Sequence, residues 1–277
     1  MTSLDMDALK KKYNLSYHID FALTAQQYVG LRGKKVLEIG GSLPRGLVLD
    51  DLGAEKWVAI EELSYYSEIR ADIKKEGFVN LEDVDNIEIL GSYAVVSGRA
   101  EQLTDAFSEG FDVVFSIAAF EHIDRLPLAL SRMHRVLKPG GRLFTMFSPI
   151  WSAHDGHHLH GVVDKQGNEF SFGKSPIPPW GHLLLRPPQL YTHLLAHTDE
   201  EAAAEIVYHV YNSPSINRLF TEDYAEYFQK SPFQVDTIAA IFLKPPPEDV
   251  QKRLEALFPG RQRFDNNGIL AVLTRAP

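Results

Sequence analysis

Apolar residues fall into short runs with helical spacing between them through the first half of the chain. "KKVLEIGG" (34–41), "KWVAIEEL" (56–63), "SYAVVSG" (92–98) and "FDVVFSIAAF" (111–120) each have the length and bounding residues of a buried strand. "RLFTMFSPI" (142–150) is a fifth, introduced by the turn "KPGG" at 138–141. Between the fourth and fifth runs, Leu126, Leu128, Leu130, Met133, Val136 and Leu137 recur close to a 3.6-residue period and predict a crossover helix. The stretch 62–91 mixes a possible helix near 64–76 with acidic residues and stays open. Strand and helix in alternation predict parallel βαβ units.

The pattern changes at Pro149. Up to Ser215 the chain is rich in His, Pro and aromatic residues, and the prolines of "SPIPPWGHLLLRPPQLY" oppose a long helix before about Leu190. Thr198 with Glu201 makes a capping box for a helix to about Tyr211, and Thr221 caps another over 222–230. "FQVDTIAAIFL" (233–243) and "GILAVLTRA" (268–276) are two further strands around the helix "PEDVQKRLEALF". The expected architecture is an α/β, doubly wound, seven-stranded and mainly parallel sheet with an insertion after the fifth strand. We read 1–277 as a single domain. It divides into an N-terminal helical cap (1–33), a ligand-binding core (34–148), an insertion (149–215) and closing helices and strands (216–277).

Composition narrows the chemistry. A formal net charge of -9 without a segregated basic face disfavours nucleic acid as partner. The chain has no cysteine, which excludes disulfides, thiolate catalysis and cysteine metal sites and leaves His, Asp and Glu as metal ligands. No run approaches the roughly 18 apolar residues of a membrane span. The N-terminal stretch lacks a signal-peptide core, so no membrane partner and a cytoplasmic location are expected.

Ligands of an open parallel sheet bind beyond the carboxyl ends of its strands. After the first strand, "EIGGSLPRG" (38–46) forms a glycine turn that lets a ligand approach the backbone; alone, it reads equally as an ordinary strand-helix turn. Glu61 ends the second strand, about 20 residues on, where an acid accepts ribose hydroxyls. A dinucleotide enzyme and a nucleoside-cofactor enzyme both fit these two features.

With "GRAEQL" (98–103) and "FDVVFSIAAFEHIDRLPLALSRMHRVLKPGGRLF" (111–144) added, the sequence resembles the class I S-adenosylmethionine-dependent methyltransferases over roughly 34–148. The resemblance implies a Rossmann-like methyltransferase fold with the last strand antiparallel, and S-adenosyl-L-methionine as cofactor. It implies that Glu38 orients the amino group of the methionine part above the turn of Gly40, Gly41 and Ser42, and that Glu61 holds the ribose. Arg99, Ala100 and Glu101 would lie at adenine, and Ser116, Ile117 and Ala118 along the methionine chain; strand-end packing explains the last three equally well. The family's second and third turn glycines are Ser42 and Pro44 here, and its adenine-binding aspartate is Arg99, which cannot accept a hydrogen bond. Arg99 would stack on adenine instead, or Glu101 would take the role.

The acceptor is expected to be a small molecule. Methyl transfer needs a base only if the acceptor must lose a proton, and imidazole suits that task near neutral pH. "HDGHHLHG" (154–161) gathers four of the eleven histidines a few residues after the fifth strand. One reading makes His154, His157 or His158 the base for O-methylation, with Asp155 orienting it. N-methylation, with the histidines positioning the acceptor, is the alternative within the class. A second reading has His154, Asp155, His157, His158 and His160 hold a divalent metal, with His182 nearby. The third is a loop without chemistry, and a non-catalytic cofactor-binding protein of the same fold is the corresponding reading of the whole chain. Tyr13, Tyr17, Trp151, Trp180, His122 and His182 are candidate acceptor-binding residues; His122 also suits a loop-holding role, and Phe21 and Trp57 read as core.

Overall fold

A computed structural model of the chain describes residues 5–41, 43–62, 79–159 and 161–277. The possible helix at 64–76 therefore lies outside the described residues, as do Ser42 and His160. Two compact units emerge. The first comprises Met1–Phe147, Tyr227–Ala239 and Leu270–Pro277; the second comprises Ser148–Glu226 and Ala240–Ile269.

Helices α1 (Met6–Tyr13) and α2 (Tyr17–Tyr28) precede the sheet. Its strands are β1 (Lys35–Ile39), β2 (Lys56–Glu61), β3 (Val79–Asn80), β4 (Tyr93–Ser97), β5 (Phe111–Ile117) and β6 (Leu137–Phe147), with β9 (Gln234–Ile241) and β10 (Gly268–Thr274) closing it. The order is β3-β4-β2-β1-β5-β6-β10-β9. Pairing is parallel from β3 through β6. At β10 the direction reverses, because the Gly140 N–H donates to the Arg275 carbonyl and the Arg275 N–H to Gly141. The sheet thus has one strand more than the seven expected, the addition being the two-residue β3. The fifth predicted strand also begins earlier, since "KPGG" is drawn into β6 by a register irregularity between Phe111 and Val113.

The predicted crossover is α3 (Leu126–Val136), with Pro127 in its first turn where no N–H partner is lost. It buries Leu126, Ala129, Leu130, Met133 and Val136, the stripe its period predicted. Near-continuous burial of β1, β2 and β5 explains why those runs do not alternate polar and apolar residues. Trp57 packs on Phe115 at a centroid separation of 5.3 Å, in the core as expected.

The second unit has its own core of Trp151, Leu159, Trp180, Leu190, Leu194, Ile206 and Phe264. Its helices are α4 (Gly181–Leu184), α5 (Pro187–Leu194), α6 (Glu200–Tyr211) and α8 (Glu248–Leu257), with a small hairpin of β7 (Val162–Val163) and β8 (Glu169–Phe170). Helix α7 (Thr221–Lys230) passes from this unit into the first. As expected, no long helix precedes Leu190, since α4 has four residues and α5 eight, with Pro187 and Pro188 in the first turn of α5. One sequence expectation shifts here: the cap of α6 is Asp199, whose carboxylate accepts from Glu201 N and Ala202 N, not Thr198.

Candidate functional site

In the first unit the residues of interest stand at the carboxyl ends of β1, β2, β4 and β5. Glu38 is buried, and its carboxylate accepts from Trp57 Nε1 at 2.6 Å and from Leu43 N at 3.1 Å. Burial pushes it up to about 7 despite those bonds. The chain then turns over the carboxylate, and a Cβ at Gly41 would lie 2.9 Å from Glu38 Oε1. Gly40 has φ +74°, and a Cβ there would lie 2.3 Å from the Ala119 side chain. Only glycine meets both conditions, so the turn after β1 and the loop after β5 are in backbone-to-side-chain contact.

Glu61 is 7% exposed. One carboxylate oxygen accepts from Glu62 N at 3.0 Å; the other, Oε2, is buried with no hydrogen-bond partner among the described residues. Burial first, and then the charge of Glu38, pushes Glu61 up to about 7. An unpartnered buried acid oxygen at the end of β2 is what a ligand hydroxyl would satisfy.

Arg99 does not lie free for stacking, because its guanidinium is ion-paired with Glu62 and its N–H donates to Gln102 Oε1 at 3.0 Å. Ala100 is buried at the start of a single helical turn, and Glu101 accepts from Arg125 N at 3.3 Å, which ties the turn to the start of α3. A cavity of about 250 Å³ lies beside this region, lined by Asn80, Leu81, Glu82, Ser97, Gln102 and Thr104.

At the end of β5, Ser116 is fully buried and its hydroxyl donates to the Ile39 carbonyl at 2.9 Å, a strap between β5 and β1. Ile117 is buried beside it. Ala118 takes φ +46° while its N–H donates to the Met146 carbonyl, a conformation uncommon for a residue with a Cβ. The turn Phe120–His122 follows. Within it Glu121 is 1% exposed, its Oε2 has no hydrogen-bond partner among the described residues, and burial pushes it up to about 8. Its charge acts on the Tyr17 phenol of α2, which is raised by burial and by Glu121. Glu121 was not among the residues the sequence singled out; its neighbour His122 was, and the His122 N–H donates to the Ala119 carbonyl within the turn. The signal was an acid in an otherwise apolar stretch, "SIAAFEHI".

Tyr13, expected at the acceptor, instead donates to Asp51 at 2.5 Å, beside Lys12 paired with the same carboxylate at 2.8 Å. It fastens α1 to the wide helical turn Gly46–Asp51. Tyr17 is exposed over only part of its surface and stacks on His18 at 4.0 Å.

In the second unit the histidine stretch folds onto Trp151, Trp180 and His182. Gly156 is forced, since a Cβ would lie 2.3 Å from the Ile150 carbonyl oxygen. His157 is buried, its Nδ1 accepting from Leu159 N at 3.2 Å, and its ring meets His182 edge-on at 5.9 Å. His182 is 2% exposed and bonds through Nε2 to the Trp151 carbonyl at 2.8 Å. Burial pushes His157 down to about 4 and His182 down to about 3, so both imidazoles are neutral. His158 bonds through Nε2 to the Pro149 carbonyl at 2.6 Å. Trp151 and Trp180 are core residues of this unit, and Trp180 Nε1 donates to Phe264 O.

His154 and Asp155 differ from these. Their Nδ1 and Oδ1 atoms lie 3.2 Å apart, off-line for a hydrogen bond, and neither has another partner. Burial lowers His154 and raises Asp155, while the mutual attraction works against both shifts. Among the described residues no group of three or more His, Asp or Glu could hold a metal ion, so the expected metal cluster does not assemble from them. Nor is any helix among them long and apolar enough to cross a membrane.

Residues 59–145 match a family model described as a methyltransferase domain. Comparison with curated proteins gives no match. Among solved structures, an S-adenosylmethionine-dependent methyltransferase from Mesorhizobium loti is similar at 12% identity and TM-score 0.45, over 88% of this chain and 92% of the other. The YcgJ protein of Bacillus subtilis is similar at 13% identity and TM-score 0.47, over 94% and 99%. Geranyl diphosphate C-methyltransferase from Streptomyces coelicolor A3(2) is similar at 12% identity and TM-score 0.45, over 92% and 75%.

Proposed function

We propose, from the premise that the chain is a class I S-adenosylmethionine-dependent methyltransferase, that it methylates a hydroxyl of a small-molecule acceptor. The observation that carries the cofactor reading is the pairing of the Gly40–Ala119 contact with the unpartnered oxygen of Glu61. The first holds the turn after β1 against the loop after β5, and the second leaves an acceptor for a ribose hydroxyl. The residues therefore fit the group. Glu38 would hold its amino nitrogen, the Gly40–Gly41 turn its methionine part, and Glu61 its ribose.

When bound, S-adenosylmethionine supplies an electrophilic methyl group on sulfur. The chain's part is to exclude water and fix the geometry, which supplies much of the rate in such a displacement. For the proton of the acceptor hydroxyl, His154 with Asp155 is the pair best suited among the expected bases. The imidazole is held neutral by burial, as a base must be, and the nearby charge of Asp155 raises its affinity for a proton. His157, His158 and His182 are occupied by bonds to backbone and serve to hold the loop.

The test has two arms. Calorimetry should show S-adenosylhomocysteine binding to the wild type and weaker binding to Glu61→Ala, by a factor corresponding to about 1 to 3 kcal/mol. No binding to the wild type overturns the cofactor reading and leaves a non-catalytic protein of the fold. Against a panel of phenols and alcohols with methyl-labelled cofactor, His154→Ala should cut turnover at least about a hundredfold. Full activity in that variant removes His154 as base.

A further inference from the structure

Glu38, Glu61 and Glu121 are buried at the ends of β1, β2 and β5, and no Lys or Arg among the described residues forms an ion pair with any of them. Burying acids without a counter-charge is unfavourable, and the cost falls when a ligand brings positive charge. The cofactor carries two positive centres, an ammonium and a sulfonium, and one vicinal diol. In the reading above, Glu38 takes the ammonium and Glu61 the diol. Glu121 and the sulfonium are then the acid and the cation left over.

Position agrees with that accounting. Glu121 sits two residues after Ala119, the residue packed against Gly40 in the turn assigned to the methionine part. Its Oε2 is buried and unpartnered among the described residues. The group facing it from α2 is the Tyr17 phenol, which is neutral and adds no cation.

We propose that Glu121 is the counter-charge for the sulfonium, so that the site selects the cationic donor over its neutral thioether product. This rests on the cofactor reading above. Transfer of the methyl group breaks the carbon–sulfur bond and leaves its electron pair on sulfur, which removes the charge that Glu121 holds. The same residue would then assist both donor capture and product release, acting as a specificity-determining residue with no proton taken from the acceptor.

The experiment is a calorimetric comparison of S-adenosylmethionine, S-adenosylhomocysteine and sinefungin, whose amine replaces the sulfonium, on wild type and Glu121→Gln. The expected wild-type order places both cationic ligands ahead of the thioether. In Glu121→Gln the cationic ligands should weaken by about tenfold or more, the scale of a close charge pair, while the thioether changes less than about twofold. Equal loss for all three ligands, or no loss, overturns the proposal while leaving the cofactor reading intact. If no ligand binds the wild type, the cofactor reading fails first. Should the variant not fold, the wild-type order decides alone, and a preference for the thioether overturns the proposal.

Discussion

A methyl group at position 40 has no room. Between φ +74° and a 2.3 Å approach to Ala119, Gly40→Ala should destabilise the protein by about 2 kcal/mol or more, read by urea denaturation. Ala119→Gly in the same chain should recover part of the loss by removing the clash but not the backbone strain; no recovery would mean that the strain dominates. The places of the glycine turn after β1 and of Glu61 at the end of β2 were legible in the sequence because each follows directly from a strand. The contact with Ala119 was not, since nothing local marks which residue of the β5 loop approaches the turn. The partner of Arg99 was hidden for a related reason. An arginine beside a ligand site invites a role in binding, but its partner Glu62 became visible only once β2 and β4 were adjacent.

Elements were easier to read than their joints. Each long apolar run became a strand within a few residues, because burial on both faces of a parallel sheet demands unbroken apolar sequence. The two-residue β3 carries too little pattern to be seen, and the start of α5 was blurred because paired prolines suit a first helical turn as well as a break. The end of α3 shows a joint that sequence does not display. Arg275, just past β10, donates from Nη1 to the carbonyls of His134, Arg135 and Leu137 and from Nη2 to Glu109. Carbonyls at a helix C-terminus lack intrahelical donors, and the guanidinium supplies them. Arg275→Ala should therefore cost about 1 to 3 kcal/mol in chemical denaturation. Arg275→Lys should recover only part of that, because one ammonium cannot reproduce the fork; full recovery would assign the effect to charge alone.

At the scale of the whole molecule, two sets of buried groups set opposite pH limits. Glu38, Glu61 and Glu121 titrate in the fold at about 7, 7 and 8, above the ordinary carboxylate range. The unfolded chain releases those protons earlier, so their contribution is complete at low pH and is lost as pH rises toward 8. His157 and His182 titrate at about 4 and 3, so theirs is complete above about 6.5 and lost as pH falls toward 4. From pH 6.5 to 8 the acids dominate, and the melting temperature of the ligand-free protein should fall. Glu121→Gln should flatten that decline in thermal scans; an unchanged slope would mean that Glu121 does not titrate there.

The position of β10 governs the order in which the chain can assemble. Strand β9 is made first, yet its place in the sheet is beyond β10, which follows it in the sequence. Until the ribosome has delivered Gly268–Thr274, a matter of seconds at about 5 to 20 residues per second, β6 presents an open edge and β9 has no neighbour to join. Such edges recruit other chains. The nascent protein is thus most vulnerable to aggregation just before β10 emerges, and a chaperone that shields β6 in that interval would raise the folded yield.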